Sequence, residues 1–140
     1  MIDKITISVQ NPKRAAEILS SAAHGTFYEH PVRKGEETFI CRLGEENLYE
    51  VELLRYGSIL YPSKEGAQVR RVEEFLPFGT TQFRLRVDHS LEKIKQVAED
   101  HNCHCFLRAS RVDQKPILEF WIEEYFLVEF SSAEIDDQSL

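Results

Sequence analysis

The 140-residue sequence lacks the features that mark several common classes of protein. No hydrophobic run approaches the roughly 18 residues that a membrane-spanning helix needs. The opening, MIDKITISVQ, soon becomes charged and is unlike an apolar signal segment. The three cysteines are an odd number, which does not predict a secreted disulfide scaffold. We therefore expect a cytoplasmic protein without a membrane partner.

Basic residues and signature motifs are also scarce. The sequence has 17 basic and 24 acidic residues, a net charge of −7, and this argues against a nucleic-acid partner, which would meet a basic face. The glycine-rich phosphate loops GxGxxG and GxxxxGK are absent, and so is the GxSxG nucleophile motif. The chain is 42% hydrophobic, which is enough for the core of one domain or of two small fused halves.

The first part of the chain predicts a strand, a helix and three further strands. KITISV (4–9) alternates between apolar and polar residues, as in a half-buried strand. A helix is predicted over 12–24, because Asn11 is suited to cap its start and Gly25 to close its end in a left-handed conformation. Turns that contain glycine separate three further predicted strands: 26–32, 37–43 and 48–56.

The same order of elements then begins again. QFRLRV (82–87) alternates like the first strand, and the helical pattern that follows it ends at Asn102. Three more strands are predicted: 105–111, 115–122 and 125–130. The chain therefore divides into a first module (1–56), a connector with one short helical or strand segment (57–78), a second module (79–131) and an acidic tail expected to be disordered (132–140).

A constant spacing relates the two modules. Four pairs of landmarks lie 77 or 78 positions apart. They are Lys4 and Gln82, His24 and His101, Gly25 and Asn102, and Glu52 and Glu129. A fixed period across four landmarks predicts an internal duplication of a βαβββ unit.

The duplicated unit resembles the vicinal oxygen chelate superfamily, which includes glyoxalase I, extradiol dioxygenases, fosfomycin-resistance enzymes and bleomycin-binding proteins. ITISVQNPKRAAEIL is similar to the family's opening strand and helix, and LEFWIEEYFLVEF to its closing hairpin. The resemblance covers about residues 1–131. It implies an α+β fold in which two tandem βαβββ modules form a curved mixed sheet around a cleft, with the helices on the outer face. It also implies a homodimer.

The resemblance implies four metal-ligand positions, which correspond here to Lys4, Glu52, Gln82 and Glu129. The two glutamates match the family, but Lys4 stands where a histidine or glutamine is usual. A protonated ammonium has no lone pair, and its pKa of about 10.4 keeps it charged. We therefore predict that Lys4 takes the place of the metal charge, with Glu52 and Glu129 as its partners.

Alternation along the strands extends this set to a polar concave face, opposite the helices. The predicted ligand-binding cleft comprises Lys4, Thr6, Glu50, Glu52, Gln82, Arg84, Arg86, Glu129 and Trp121. A structural ion-pair network with no chemistry explains the same pattern.

The segment HNCHC contains His101, Cys103, His104 and Cys105 and has the composition of a zinc tract. A zinc site usually needs a second ligand cluster, however, and Cys41 is the only other cysteine. The duplicate spacing of His24 and His101 favours a helix-end role instead.

Three functions are compatible with the sequence. The preferred one is a non-catalytic protein that binds or sequesters a small molecule, with no catalytic residues and no cofactor. The alternative is a metal-dependent lyase, isomerase or dioxygenase in which Glu52, Gln82 and Glu129 hold a divalent ion. A third is a scaffold or interaction subunit.

Overall fold

The computed structural model describes residues 4–65, 67–72, 82–110, 113–123 and 126–140. The first module contains β1 (Lys4–Val9), α1 (Pro12–Ala22), β2 (Thr26–Glu29), β3 (Phe39–Leu43) and β4 (Tyr49–Arg55). A connecting hairpin contains β5 (Ser58–Tyr61) and β6 (Gln68–Arg71). The second module contains β7 (Gln82–Arg86), α2 (Leu91–Asp100), β8 (His104–Ala109), β9 (Pro116–Ile122) and β10 (Phe126–Ser131), and α3 (Ala133–Asp136) follows.

The two modules have the same sheet topology. The strand order is β1-β4-β3-β2 in the first sheet and β7-β10-β9-β8 in the second. In each sheet the first strand runs parallel to the last, and the other pairs are antiparallel. The predicted α+β fold of two βαβββ modules is therefore confirmed.

Both long helices begin where a capping side chain accepts a backbone N–H. Asn11 Oδ1 accepts from Arg14 N at 3.1 Å, and Ser90 Oγ accepts from Lys93 N at 3.1 Å. These bonds satisfy donors in the first turn that no helical carbonyl reaches.

The ends of the helices correct one prediction. His24, with a φ of 54°, takes the left-handed conformation after α1, and Asn102, with a φ of 53°, takes it after α2. Gly25 does not have a positive φ. Its lack of a side chain serves a close approach instead, because a Cβ there would lie 2.3 Å from the carbonyl oxygen of Arg42.

One hydrophobic core joins the two modules. Helix α1 packs against β3 and α2, and the buried apolar residues of both halves form one cluster. Fully buried members include Val9, Ile18, Leu19, Leu53, Ile94, Phe120 and Phe130. Alternation along the strands leaves the opposite face of each sheet to polar side chains.

Two predictions outside the modules also change. The connector forms a two-stranded antiparallel sheet of β5 and β6, although residue 66 and residues 73–78 lie outside the described range. The tail does not fray at its start: Ser132 Oγ accepts from Ile135 N at 3.1 Å, and the Ile135 side chain is fully buried. Glu134 of this helix also accepts from Leu91 N at 3.0 Å, which ties α3 to the start of α2.

Within the part of the chain that the structure describes, none of the helices is long and apolar enough to span a membrane.

Candidate functional site

Each sheet carries a nearly buried glutamate in the middle of its last strand, on the concave face. Glu52 on β4 is 7% exposed and lies opposite Thr6 of β1. Glu129 on β10 is 5% exposed and lies opposite Arg84 of β7. A carboxylate this deeply buried needs partners, and the two modules supply different ones.

In the first module the principal partner of Glu52 is the ammonium of Lys4. Lys4 Nζ lies 2.9 Å from Glu52 Oε2 and 3.4 Å from Glu50 Oε1. Thr6 Oγ1 donates to Glu52 Oε2 at 3.4 Å, and His30 Nε2 lies 3.8 Å from Oε1. The hydrogen bond to Glu52 raises the pKa of Lys4 above its usual value, against the lowering effect of burial. Lys4 therefore stays charged at neutral pH.

In the second module two guanidinium groups enclose Glu129. Arg84 donates to Glu129 Oε2 from Nε at 3.0 Å and from Nη2 at 2.9 Å, and Arg108 Nη2 donates to Oε1 at 3.2 Å. Arg108 also pairs through Nε with Glu119, a third nearly buried acid. Trp121 Nε1 donates to the other oxygen of Glu119 at 3.2 Å. The result is a connected network with a charged partner for each acid.

The two networks are copies of one arrangement. Thr6 and Arg84 are 78 positions apart, and each donates to the glutamate of its own module. His30 and Arg108 are also 78 positions apart. His30 lies just after β2 and approaches Glu52, and Arg108 lies near the end of β8 and approaches Glu129. The duplication therefore extends from the backbone to the site, with stronger donors in the second copy.

The structure brings most of the predicted cleft residues together, but in two groups. Lys4 pairs with Glu52 as predicted, whereas its predicted partnership with Glu129 is wrong, because Arg84 and Arg108 bind that carboxylate. Each carboxylate is bound within its own module.

Two of the predicted residues, Arg86 and Gln82, have other neighbours. Arg86 pairs with Asp136 of α3 at 2.9 Å, where both side chains are exposed. Gln82 is exposed at the start of β7, opposite Leu127.

Sequence reasoning missed three members of the site: His30, Arg108 and Glu119. The signal for Glu119 was available, because it lies two positions before Trp121 and so shares its face. Arg108 lies 78 positions after His30, which matches the period of the duplication. This spacing points to Arg108 only after His30 is known to lie beside Glu52.

Each concave face also presents an exposed aromatic ring. Tyr28 on β2 is 38% exposed and Phe106 on β8 is 40% exposed, and the two are 78 positions apart. The guanidinium carbon of Arg42 lies 5.9 Å from the centre of the Tyr28 ring, and the rings of His104 and Phe106 lie 5.3 Å apart. Charged and polar side chains beside an exposed aromatic ring are the composition of a small-molecule site.

Two of the four residues that the sequence resemblance suggested as metal ligands, Lys4 and Glu129, do not suit a divalent ion. Lys4 offers a charged ammonium, which has no lone pair and repels a cation. Glu129 already has two guanidinium groups as partners. The positive charge that a metal would supply to each carboxylate comes from side chains.

The HNCHC segment does not form a metal cluster in the described part of the chain. His101 is the C-cap of α2, and Cys103 Sγ lies 3.8 Å from the His101 carbonyl oxygen. Burial raises the pKa of the Cys105 thiol to about 11, which keeps it protonated and a poor ligand. The helix-end interpretation of His101 is the one that the structure supports.

No known family model matches the sequence, and no curated protein matches it. Solved structures do match. An integron cassette protein from the mobile metagenome of V. cholerae has a TM-score of 0.61 at 12% identity, with 95% of this chain and 94% of that chain covered. The fosfomycin resistance protein FosX from Listeria monocytogenes has a TM-score of 0.61 at 9% identity, with 95% and 90% covered.

A variant of the same FosX, complexed with Mn(II) and 1S,2S-dihydroxypropylphosphonic acid, has a TM-score of 0.58 at 8% identity, with 93% of this chain and 86% of that chain covered. At such identities the likeness concerns the fold. The chain has the fold of FosX and of the integron cassette protein.

Proposed function

We propose that this chain is a non-catalytic protein that binds or sequesters a small polar molecule on its concave faces. The observation that carries the proposal is the contact of 2.9 Å between the ammonium of Lys4 and Glu52. The superfamily resemblance implies a metal ligand at this position, and Lys4 supplies a cation there instead. The face is therefore arranged to present charged donors and acceptors to a ligand and does not need an ion to do so.

The ligand would meet complementary groups in both modules. Lys4 and Arg84 are about half exposed, with side-chain exposures of 48% and 42%, so both retain donors for a ligand. Tyr28 and Phe106 offer exposed rings for stacking. Anionic or zwitterionic compounds with a planar or apolar part suit this combination best.

We further propose that the protein is a cytoplasmic homodimer in which a second copy closes the cleft. The superfamily resemblance supports this proposal, because its members commonly build their cavities with help from a second chain. Light scattering of the purified protein tests it: a mass near twice 16.3 kDa supports the dimer, and a mass near 16.3 kDa overturns it.

Thermal unfolding with and without ligands tests the binding function. We expect MnCl₂ to leave the melting temperature of the wild-type protein unchanged and at least one small organic anion or zwitterion from a metabolite panel to raise it. Lys4→His is the matched variant, because it removes the ammonium and restores an imidazole ligand. We expect Mn²⁺ to stabilise Lys4→His more than the wild type.

A metal-dependent enzyme is the second candidate. The Mn(II)-bound FosX variant, which has the same fold, favours it. In that case Mn²⁺ would stabilise the wild-type protein, and Glu52→Gln would remove the effect. This outcome would overturn the non-catalytic proposal. A panel that shifts nothing at all would also overturn it, in favour of a scaffold.

A further inference from the structure

A cluster of three side chains of metal-ligating types lies where the two modules meet, on segments outside the strands of the concave faces. His24 follows α1 in the first module, and Asp88 and His89 precede α2 in the second. One ligand atom from each of these three residues lies within 4.8 Å of the other two. The rings of His24 and His89 are 4.9 Å apart, with their planes at 60°.

Backbone hydrogen bonds hold the two segments that carry these residues, one after α1 and one before α2. His24 is fixed in the left-handed conformation with a φ of 54°, and the next residue is held by a hydrogen bond from Gly25 N to Ser20 O at 2.9 Å. His89 directly precedes Ser90, whose Oγ caps α2 by accepting from Lys93 N at 3.1 Å.

The surroundings suit a cation. An adjacent cavity of about 530 Å³, lined by His24, His89, Glu45 and Glu46, admits solvent and offers further carboxylates.

The spacing of the ligand atoms is close to that of a tetrahedral site. With metal–ligand bonds of about 2.1 Å, tetrahedral ligands lie roughly 3.4 Å apart. Atoms within 4.8 Å of one another reach this spacing by small side-chain rotations, and His24 and Asp88 are exposed and free to make them. Two imidazoles and a carboxylate are a ligand set for Zn²⁺ and related transition ions.

We propose that His24, Asp88 and His89 bind one divalent transition-metal ion of the zinc type and that this ion links the two modules. A water or a carboxylate from Glu45 or Glu46 completes the fourth position. The site is independent of the concave faces, so it stands or fails separately from the ligand-binding function.

Calorimetric titration of chelator-treated, dialysed protein with ZnCl₂ tests the proposal. We expect one ion per chain and a higher melting temperature on binding. His24→Asn is the primary variant, because asparagine tolerates the left-handed conformation and the fold should be kept. His24→Asn, Asp88→Asn and His89→Ala should each weaken zinc binding by about tenfold or more.

Two control variants separate this site from others. His104→Ala removes a histidine outside the cluster, and Glu52→Gln removes the carboxylate that a metal on the concave face would need. Both should bind zinc like the wild type. Co²⁺ added to the wild-type protein should give the strong visible absorption of a four-coordinate ion, and the signal should be lost in His89→Ala.

Three results overturn the proposal. They are the absence of zinc binding to the wild-type protein, zinc binding that survives both His24→Asn and His89→Ala, and zinc binding that is lost in Glu52→Gln. If His24→Asn does not fold, the cobalt spectra of the wild type and of Asp88→Asn decide the question, because Asp88 is exposed and its replacement leaves the core intact.

Discussion

At the scale of single residues, the buried carboxylates are the features on which the concave faces depend. Glu129 is almost completely enclosed, and its two oxygens accept bonds from different arginines. Removing one partner from such a group leaves the others with unpaired charge in a poorly hydrated site, which is costly.

Glu129→Gln should therefore lower the free energy of unfolding by about 2–3 kcal/mol, because the amide keeps the shape and loses the charge that holds Arg84 and Arg108. Urea denaturation monitored by circular dichroism measures the change. Asp136→Asn is the control, since it removes the acid of an exposed pair with Arg86 and should cost less than about 1 kcal/mol. Equal effects of the two substitutions would contradict the structural role assigned to Glu129.

The cysteines provide a prediction about pH. Burial raises the pKa of the Cys41 thiol from 9.0 to about 12, and Cys41 is fully inaccessible. A raised pKa means that the protonated thiol stabilises the fold. This contribution is complete below the unfolded pKa of 9.0 and is lost as the pH rises toward 12.

We therefore expect iodoacetamide to leave Cys41 unmodified in the folded protein at neutral pH, because the thiolate is the reactive form. Mass spectrometry of the alkylated peptides measures this. The same treatment in urea is the control and should modify all three cysteines. Rapid modification of Cys41 in the folded state would show that the core around it opens.

At the scale of elements, the turn from α1 into β2 passes very close to β3. A side chain at Gly25 would meet the backbone oxygen of Arg42 at 2.3 Å and the Leu43 side chain at 2.8 Å. Backbone atoms of a buried strand cannot move aside cheaply, so this contact fixes how closely the turn approaches β3.

Gly25→Ala should lower the free energy of unfolding by about 2–3 kcal/mol, because the added methyl group overpacks the contact with β3. Gly35→Ala is the matched control. Gly35 has a φ of +80° with nothing within 4 Å of an added Cβ, so only the strain of the left-handed backbone applies, at about 1 kcal/mol. A smaller loss for Gly25→Ala than for Gly35→Ala would be inconsistent with the close approach.

At the scale of the whole molecule, several contacts join the modules besides their shared core. Arg14 NH2 donates to the carbonyl oxygen of His101 at 2.6 Å. The carboxylate of Glu123 accepts the backbone N–H of Gln10 at 2.6 Å and of Asn11 at 3.1 Å, just before α1 begins. The start of one module's helix is thus bound by residues of the other module.

Because the core is continuous, we expect the protein to unfold in one cooperative transition, although its sequence is duplicated. Differential scanning calorimetry checks this, and the calorimetric and van't Hoff enthalpies should agree. Two resolved transitions would mean that the modules are separate folding units. In that case a fragment of residues 1–56 would be expected to fold alone.

The elements and their order follow closely from the sequence because their causes are local. Alternation in KITISV predicted β1 with its observed bounds, and the Asn11 cap predicted the start of α1. The end of α1 was predicted less well: the left-handed residue is His24, and Gly25 instead permits a close approach to Arg42 of β3. The need for a glycine there comes from a contact between segments distant in the sequence, which no local pattern signals.

The sequence by itself determined the duplicated fold, the two faces of each sheet and the positions of Glu52 and Glu129, because side-chain period and capping act over a few residues. Only the tertiary structure decided which cation binds which acid, since Arg108 reaches Glu129 only through the register of β8, β9 and β10. It likewise brought His24 to His89, 65 positions along the chain, because α1 packs against α2. Long-range packing places such groups within bonding distance, and no local pattern encodes it.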